Sequence, residues 1–427
     1  MKKRNVQFHV CRHFFSRFDE KLFFDAMPYS FILILLIAAL GSGCKSRPPE
    51  SAALLEPSNF LTHQGEEALR QNEFDHALML ADSAQKLAPQ NAHAHFLRGR
   101  IYSEVGQWQN AEETYRRALA LQPGYRGAWN NLGNNAYRQQ KYNQAIAFYQ
   151  KELAANPAAI PYRGMGRAYV ELGRVDSAQY AFARAISADS LYAPAHFSLG
   201  FLFEDEGEYE KALHHARAAW RLDSENLEYR YLVGELLVKA QRHEEALGIL
   251  QEVVAKWPWH HGAQYNIGQA LIRLGRAEEA KKYLVEAERV RAWDAKLEHL
   301  ENTVRSLPND PFAHAALASM LRRTGRYNDA LHAYKVAEHL APHNMEIQNN
   351  IANLYLVKGD TTKAINQYRF ILQQDPTLVE VWLNLGVVHA LGGQVREAEH
   401  AWRTVLKQAP HHPAARAYLA KLASTKP

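Results

Sequence analysis

The chain has 427 residues, 47% of them apolar and 22% charged, with a formal net charge of +5. Residues 1–43 hold six Lys/Arg against three Asp/Glu, so the remainder carries only +2; that balance, with no basic stripe interleaved with aromatics, argues against nucleic acid as a partner. Only Cys11 and Cys44 are present, which excludes a Cys-based zinc site, a cysteine nucleophile and an internal disulfide from everything after residue 44.

The first element in chain order is the apolar run 31–40, FILILLIAAL. Even if helical it spans roughly 15 Å, about half a bilayer core. With Lys2, Lys3 and Arg4 upstream and Gly41-Ser42-Gly43 behind it, the run reads as the hydrophobic part of a secretory signal over 1–43. LGSGC at 40–44 resembles a bacterial lipoprotein signal, and the resemblance implies that Cys44 is lipidated and opens the mature protein. The match departs from the pattern at Gly41, where a branched residue is usual, with Leu40 one place early. The leading segment is also long, and Met27 is an alternative start. A plainly cleaved signal peptide and an uncleaved inner-membrane signal anchor are the other readings. All three put the remainder outside the cytoplasm, behind a short proline-stiffened tether over 44–57.

From Ser58 a fixed period sets in, and Ala128–Pro157 shows its unit best. Trp129, Leu132, Gly133 and Ala136 lie at helical spacing on one short helix, and Ala145, Phe148, Tyr149 and Leu153 on a second. Pro157 ends the unit. The small residue where the two helices cross returns as Ala77, Ala111, Ala145, Ala178, Ala212, Ala246 and Ala280, then as Ala330, Ala364 and Ala398. A second small residue, twelve places earlier, runs from Gly65 and Gly99 to Gly386, with Ala318 and Ala352 substituting. One hairpin cannot bury its own apolar face, so the copies must stack.

This pattern resembles the tetratricopeptide repeat family, whose W-x2-L-G-x2-Y, A, F and P positions recur every 34 residues. Trp129-Leu132-Gly133 and Trp382-Leu385-Gly386 are the fullest copies. The resemblance covers about Ser58 to Pro410 and implies an all-α fold, a right-handed α-solenoid of about ten helix-turn-helix repeats with a C-terminal capping helix. Copies one to seven fall over 58–292 and copies eight to ten over 311–410. The cap and tail occupy 411–427. Between the arms the period lengthens from 34 to 50 residues, and Arg276–Leu307 lacks both glycine and proline. The sixteen extra residues predict a helical insertion over 293–310 that extends the second helix of copy seven to about 45 Å. An extra helix after a kink near Trp293 is the alternative; a spacer, a hinge and a dimerisation ridge are all open roles.

Asparagine is the suggestive polar residue. Asn131, Asn266, Asn350 and Asn384 share one place in their repeats, just before the Leu/Ile-Gly/Ala pair, and Asn134 and Asn353 lie three residues on. In superhelical members similar to sugar-transferase scaffolds, asparagines at this place hydrogen-bond a peptide backbone, a task that suits an amide's paired donor and acceptor. The ladder is broken at Leu97, Gly164, Ser198, Leu232 and Ala316, so local packing is the competing account. A carboxylate clamp is disfavoured, because Asn130 stands where that class has lysine. Trp257 and Trp259, in the turn WPWHH, are possible aromatic anchors for a partner or, alternatively, caps on the neighbouring hairpin.

The adjacent pairs His214-His215, His260-His261 and His411-His412 cannot share an ion on a helix, no HExxH occurs, and no metal site or cofactor is expected. Nucleophile-elbow, phosphate-loop, dinucleotide and haem motifs are missing, so no catalytic residue is assigned. The expectation is a non-enzymatic protein–protein interaction scaffold on the extracytoplasmic side of a bacterial membrane, at the outer membrane or the periplasmic face. It would receive segments of other proteins or peptides in a superhelical groove, in envelope or secretion-complex assembly. The alternatives are an accessory to a cell-envelope enzyme and a connector using its convex face.

Overall fold

The computed structural model describes residues 55–424, with side chains to Leu422. The apolar run 31–40, Cys44 and nearly all of the tether lie outside the described residues. Among the described residues every element is a helix. The first five hairpins pair α1 (Leu55–Arg70) with α2 (Phe74–Leu87), α3 (Ala92–Glu104) with α4 (Trp108–Leu121), α5 (Ala128–Arg138) with α6 (Tyr142–Ala155), α7 (Ala159–Glu171) with α8 (Val175–Ala188), and α9 (Ala193–Asp205) with α10 (Tyr209–Leu222). Next come α11 (Leu227–Lys239) with α12 (His243–Lys256) and α13 (His261–Arg273) with α14 (Ala277–Ser306). The last three pair α15 (Pro311–Arg323) with α16 (Tyr327–Leu340), α17 (Met345–Val357) with α18 (Thr361–Gln374), and α19 (Val379–Leu391) with α20 (Val395–Gln408). A final helix, α21 (Pro413–Ser424), packs on α20. The first helix begins at Leu55, three residues ahead of the expected Ser58.

Each hairpin turns in the same way. One residue between its helices takes a positive φ: glycine in seven copies, and Asn72, Gln140 and Gln241 in the other three. The next residue's N–H then bonds back to the carbonyl five residues earlier, as in Gln107 to Tyr102 and Gln394 to His389, both 2.8 Å. This 6→1 bond closes the first helix with a left-handed residue, which glycine adopts without a Cβ penalty. Beyond the turn the helices cross at the periodic alanines, all at most 1% exposed. In most copies a ring or leucine four residues on lies over the periodic small residue: a Cβ added to Gly133 would sit 2.5 Å from Tyr149, one on Gly166 2.4 Å from Phe182, and one on Gly234 2.5 Å from Leu250.

The long element α14 is one unbroken 30-residue helix, about 45 Å in length. Its first half packs on α13, with Leu284 against Gly268. Its second half delivers Leu297, with Trp293 and Leu300, into the core of the last three copies. A single rod therefore belongs to both cores.

The array also meets itself. In copy eight, α16 packs across α2 of copy one, where Val336 and Leu340 join Phe74, Ala77 and Leu80 in one apolar cluster. Polar contacts rim it. His332 Nδ1 lies 2.9 Å from Asn72 Oδ1, and its Nε2 lies 3.8 Å from Glu104. His339 Nδ1 is 2.6 Å from Asp75. The Phe74 ring meets both imidazoles edge-on. Nearby, the turn at Gly106 approaches Pro308. Val336 is 1% exposed, so a carboxylate there would be stranded in an apolar contact. Val336→Asp is expected to open this clasp while leaving the hairpins folded. Small-angle scattering should show a larger radius of gyration with unchanged far-UV circular dichroism; an unchanged radius would mean that the clasp does not depend on this contact.

Candidate functional site

First helices of successive copies touch one another, as in α1 with α3, α5 with α7, α7 with α9 and α11 with α13, while second helices make no comparable contact. The first helices are thus the inner wall of the curve. All six predicted asparagines sit on them: Asn131 and Asn134 on α5, Asn266 on α13, Asn350 and Asn353 on α17, and Asn384 on α19.

The wall is rigid where these residues stand. The start of α5 is fixed by the buried carboxylate of Glu152, which accepts the N–H of Gly127 at 2.8 Å and of Asn130 at 3.2 Å. Its negative charge also suits the positive end of the helix dipole. Asn134 Oδ1 accepts from the Tyr149 hydroxyl at 2.8 Å, and Asn353 Oδ1 accepts from Tyr368 at 2.6 Å. Burial holds both phenols well above their ordinary range, so they remain donors. Asn353 Oδ1 also accepts from Asn384 Nδ2 at 3.1 Å, joining copies nine and ten. Asn266 Nδ2 donates to Tyr231 at 3.3 Å. Asn131 and Asn350 are half-buried and have no side-chain hydrogen bond among the described residues. The structure therefore brings together Asn353 with Asn384, leaves Asn266 to a local contact, and keeps two amides free.

The two tryptophans are used internally. Trp257 meets His260 edge-on at 4.5 Å between centroids. Trp259 covers the turn of copy eight so closely that a Cβ on Gly325 would lie 2.0 Å from its ring. His260 packs at a tilt of 40° on Tyr231 with ring centroids 4.1 Å apart, and its Nδ1 accepts the N–H of Ala263 at the start of α13. Burial pushes this imidazole down to about 4.

Sequence spacing also missed one cluster. His63 and Glu66 on α1 meet His93 on α3, with ligand atoms all within 4.8 Å of one another. His93 lies in the next copy, so no local motif could display the trio. The repeat register could have: His63 and Glu66 stand at the places that Asn131 and Asn134 occupy in copy three.

Helical hairpins stacked so that each touches mainly its neighbours, with one helix of each lining an inner wall, define an α-solenoid of two-helix repeats. The chain belongs to the tetratricopeptide repeat family. Models described as tetratricopeptide repeat match residues 63–125, 99–160, 237–301, 315–379 and 357–422, and a model of anaphase-promoting complex subunit 3 matches 171–253. Among curated relatives, anaphase-promoting complex subunit 3 of Schizosaccharomyces pombe is 22% identical over 48% of this chain and 31% of its own length. TPR repeat-containing protein YpiA of Bacillus subtilis is 23% identical over 66% of this chain and 63% of its own. The chain thus spans less than two thirds of either relative. Among solved structures, the type IV pilus biogenesis factor PilW aligns at 21% identity and TM-score 0.44 over 48% of this chain and 96% of its own. Pseudomonas aeruginosa pilF aligns at 18% and 0.44 over 49% and 96%. Proteins of this family generally mediate protein–protein contacts, and its scaffolds are generally non-catalytic. No described helix is long and apolar enough to cross a membrane.

The half-buried His260 gives a pH test of the turn. Its folded value lies below the 6.5 or so of a free imidazole, so its contribution to stability is complete above about pH 6.5 and is lost as the pH falls toward 4. His260→Asn keeps the cap on Ala263 without a titrating ring. The acid slope of stability, measured by urea unfolding from pH 7 to pH 4, should flatten by on the order of 2 kcal/mol. An unaltered slope would mean that the acid loss arises elsewhere.

Proposed function

We propose that this chain is an interaction scaffold held on the extracytoplasmic face of a bacterial membrane through Cys44. It takes an extended segment of a partner along its inner wall and serves the assembly of envelope or secretion complexes. The observation that carries the reading is the state of the inner-wall amides. Asn131 and Asn350 have both donor and acceptor free, while Asn134 and Asn353 have their acceptors bound to tyrosines. An amide that offers both groups can pair with the backbone of any extended chain, which gives affinity with broad sequence tolerance. The support for the location is the signal-like run 31–40 followed by LGSGC.

Two experiments test the two halves separately. Crosslinking in isolated envelopes should capture partner segments with the wild type, and Asn131→Ala with Asn350→Ala should weaken capture about tenfold or more at unchanged melting temperature. Asn353→Ala should behave differently, costing about 1–3 kcal/mol of stability because it strands the buried Tyr368 hydroxyl. Capture indifferent to the double change would move binding to the outer face.

Fractionation tests the anchor. Cys44→Ala should shift the protein from the membrane to the soluble fraction. A variant that stays membrane-bound would point to an uncleaved anchor, and a soluble wild type would remove the lipid anchor altogether.

A further inference from the structure

The inner wall of copy one carries a second kind of chemistry. Glu66 Oε1 lies 3.5 Å from His93 Nε2, and Oε2 lies 4.0 Å from His63 Nδ1. The two imidazole rings stand 5.8 Å apart at 45°. His93 Nε2 is buried and has no hydrogen-bond partner among the described residues. Its other nitrogen faces the Tyr125 hydroxyl, which fixes the orientation of the ring. Ligands about 2.0–2.1 Å from a tetrahedral zinc ion lie roughly 3.3 Å from one another. The ligand atoms, at 3.5 and 4.0 Å for the two Glu66 contacts and within 4.8 Å throughout, must close by up to about 1.5 Å to reach that spacing, and the His63 side chain, 74% exposed, is free to turn inward.

From this geometry we infer that His63, Glu66 and His93 form a binding site for a divalent transition-metal ion, of the zinc class, that bolts copy one to copy two. Two imidazoles and one carboxylate are the donor set for a borderline ion with one position left open to water or to a side chain of a partner. The orienting contact from Tyr125 to the far nitrogen of His93 is the outer-shell arrangement that metal-bound imidazoles generally have. Arg100 is the competing cation, with Nη1 3.1 Å from Glu66 Oε1. In the metal-free chain it balances the carboxylate; in the metal-bound chain it holds one oxygen while the ion takes the other. The site exists whether or not the groove receives a partner, so its test is independent of partner capture.

The probe is Zn²⁺ alone, titrated into the full chain in detergent against a chromogenic chelator, with Co²⁺ absorption as a report on coordination. One ion per chain is expected, with the intense visible bands of a four-coordinate cobalt site. His63→Ala removes an exposed side chain and cannot disturb the core; it should weaken Zn²⁺ binding about 10–100-fold. Arg100→Gln should tighten binding, because a positive charge beside the ion is gone. His196 and His215, whose Nδ1 atoms lie 3.1 Å apart on α9 and α10, supply a control, since His215→Ala should leave the stoichiometric site untouched. Absence of stoichiometric binding, binding equal in His63→Ala and wild type, or an affinity not raised by Arg100→Gln would each overturn the assignment.

Discussion

Everything in this molecule depends on how closely the two helices of each hairpin approach. The crossing holds alanine on one side in every copy and, on the other, a residue small enough to lie under a ring or a leucine. Tyr115, Tyr149, Phe182 and Tyr368 fill the place above it at no more than 2% exposure. Where that ring is itself an alanine, the gap is filled from the next copy. Ala81 and Ala216 stand at the ring position of copies one and five, and Gly65 and Gly200 there face Leu97 and Leu232 instead. Leu97 approaches Gly65 nearly as closely as the rings approach their glycines, Leu232 lies further from Gly200, and in those two copies the contact works between hairpins instead of within one. Stability in a solenoid is a sum of terms within repeats and between neighbours, so these substitutions shift packing from the first kind to the second.

Repetition of one crossing geometry bends the array, and bending brings distant copies together. The first helices touch across copies and the second helices do not, so each added hairpin turns the chain the same way. By copy eight the chain has come back over copy one, and Val336 meets Phe74. The rod α14 makes this return possible without a weak joint, because its Leu297 end is buried in the next core. The clasp is polar at its rim. Burial lowers the His332 imidazole, against the raising influence of Glu104, with Arg138 acting with burial and Asp329 against it. A neutral His332 facing Asn72 therefore belongs to the closed form.

The fold was legible because period is a local property. Crossing alanines, closing prolines and the 50-residue step could be read directly, and the helices follow them. Asn72, Gln140 and Gln241 were not legible as turn residues, since nothing but their register shows that they replace glycine. The clasp was invisible for a different reason: His332 and Asn72 are 260 residues apart, and their meeting is set by the accumulated curvature of seven copies. The contact of Trp259 was not legible for the same cause, because its place in a surface turn does not reveal that Gly325 lies beneath it. The asparagines were half legible. Their places were plain, but which amides remain free is decided by the side chains that reach them: Tyr149 and Tyr368 take Asn134 and Asn353 and leave Asn131 and Asn350, one turn earlier on the same helices, free.

That pairing also bears on how an inner wall of this kind could bind at all. Fixing a free side chain on association costs about 0.5–1.5 kcal/mol, comparable with the net gain from a single hydrogen bond. An asparagine that must first be ordered therefore gains chiefly when its amide makes two hydrogen bonds at once, as a free donor and acceptor allow. Asn134 and Asn353 are already ordered, since a buried phenol holds each carbonyl oxygen and leaves the amino group in a fixed direction. Asn131 rides on a helix whose start is pinned by Glu152, so its backbone is settled although its amide is free. The tyrosines that complete the hairpin cores thus also orient the wall, and the packing that defines each repeat sets the direction of its polar groups.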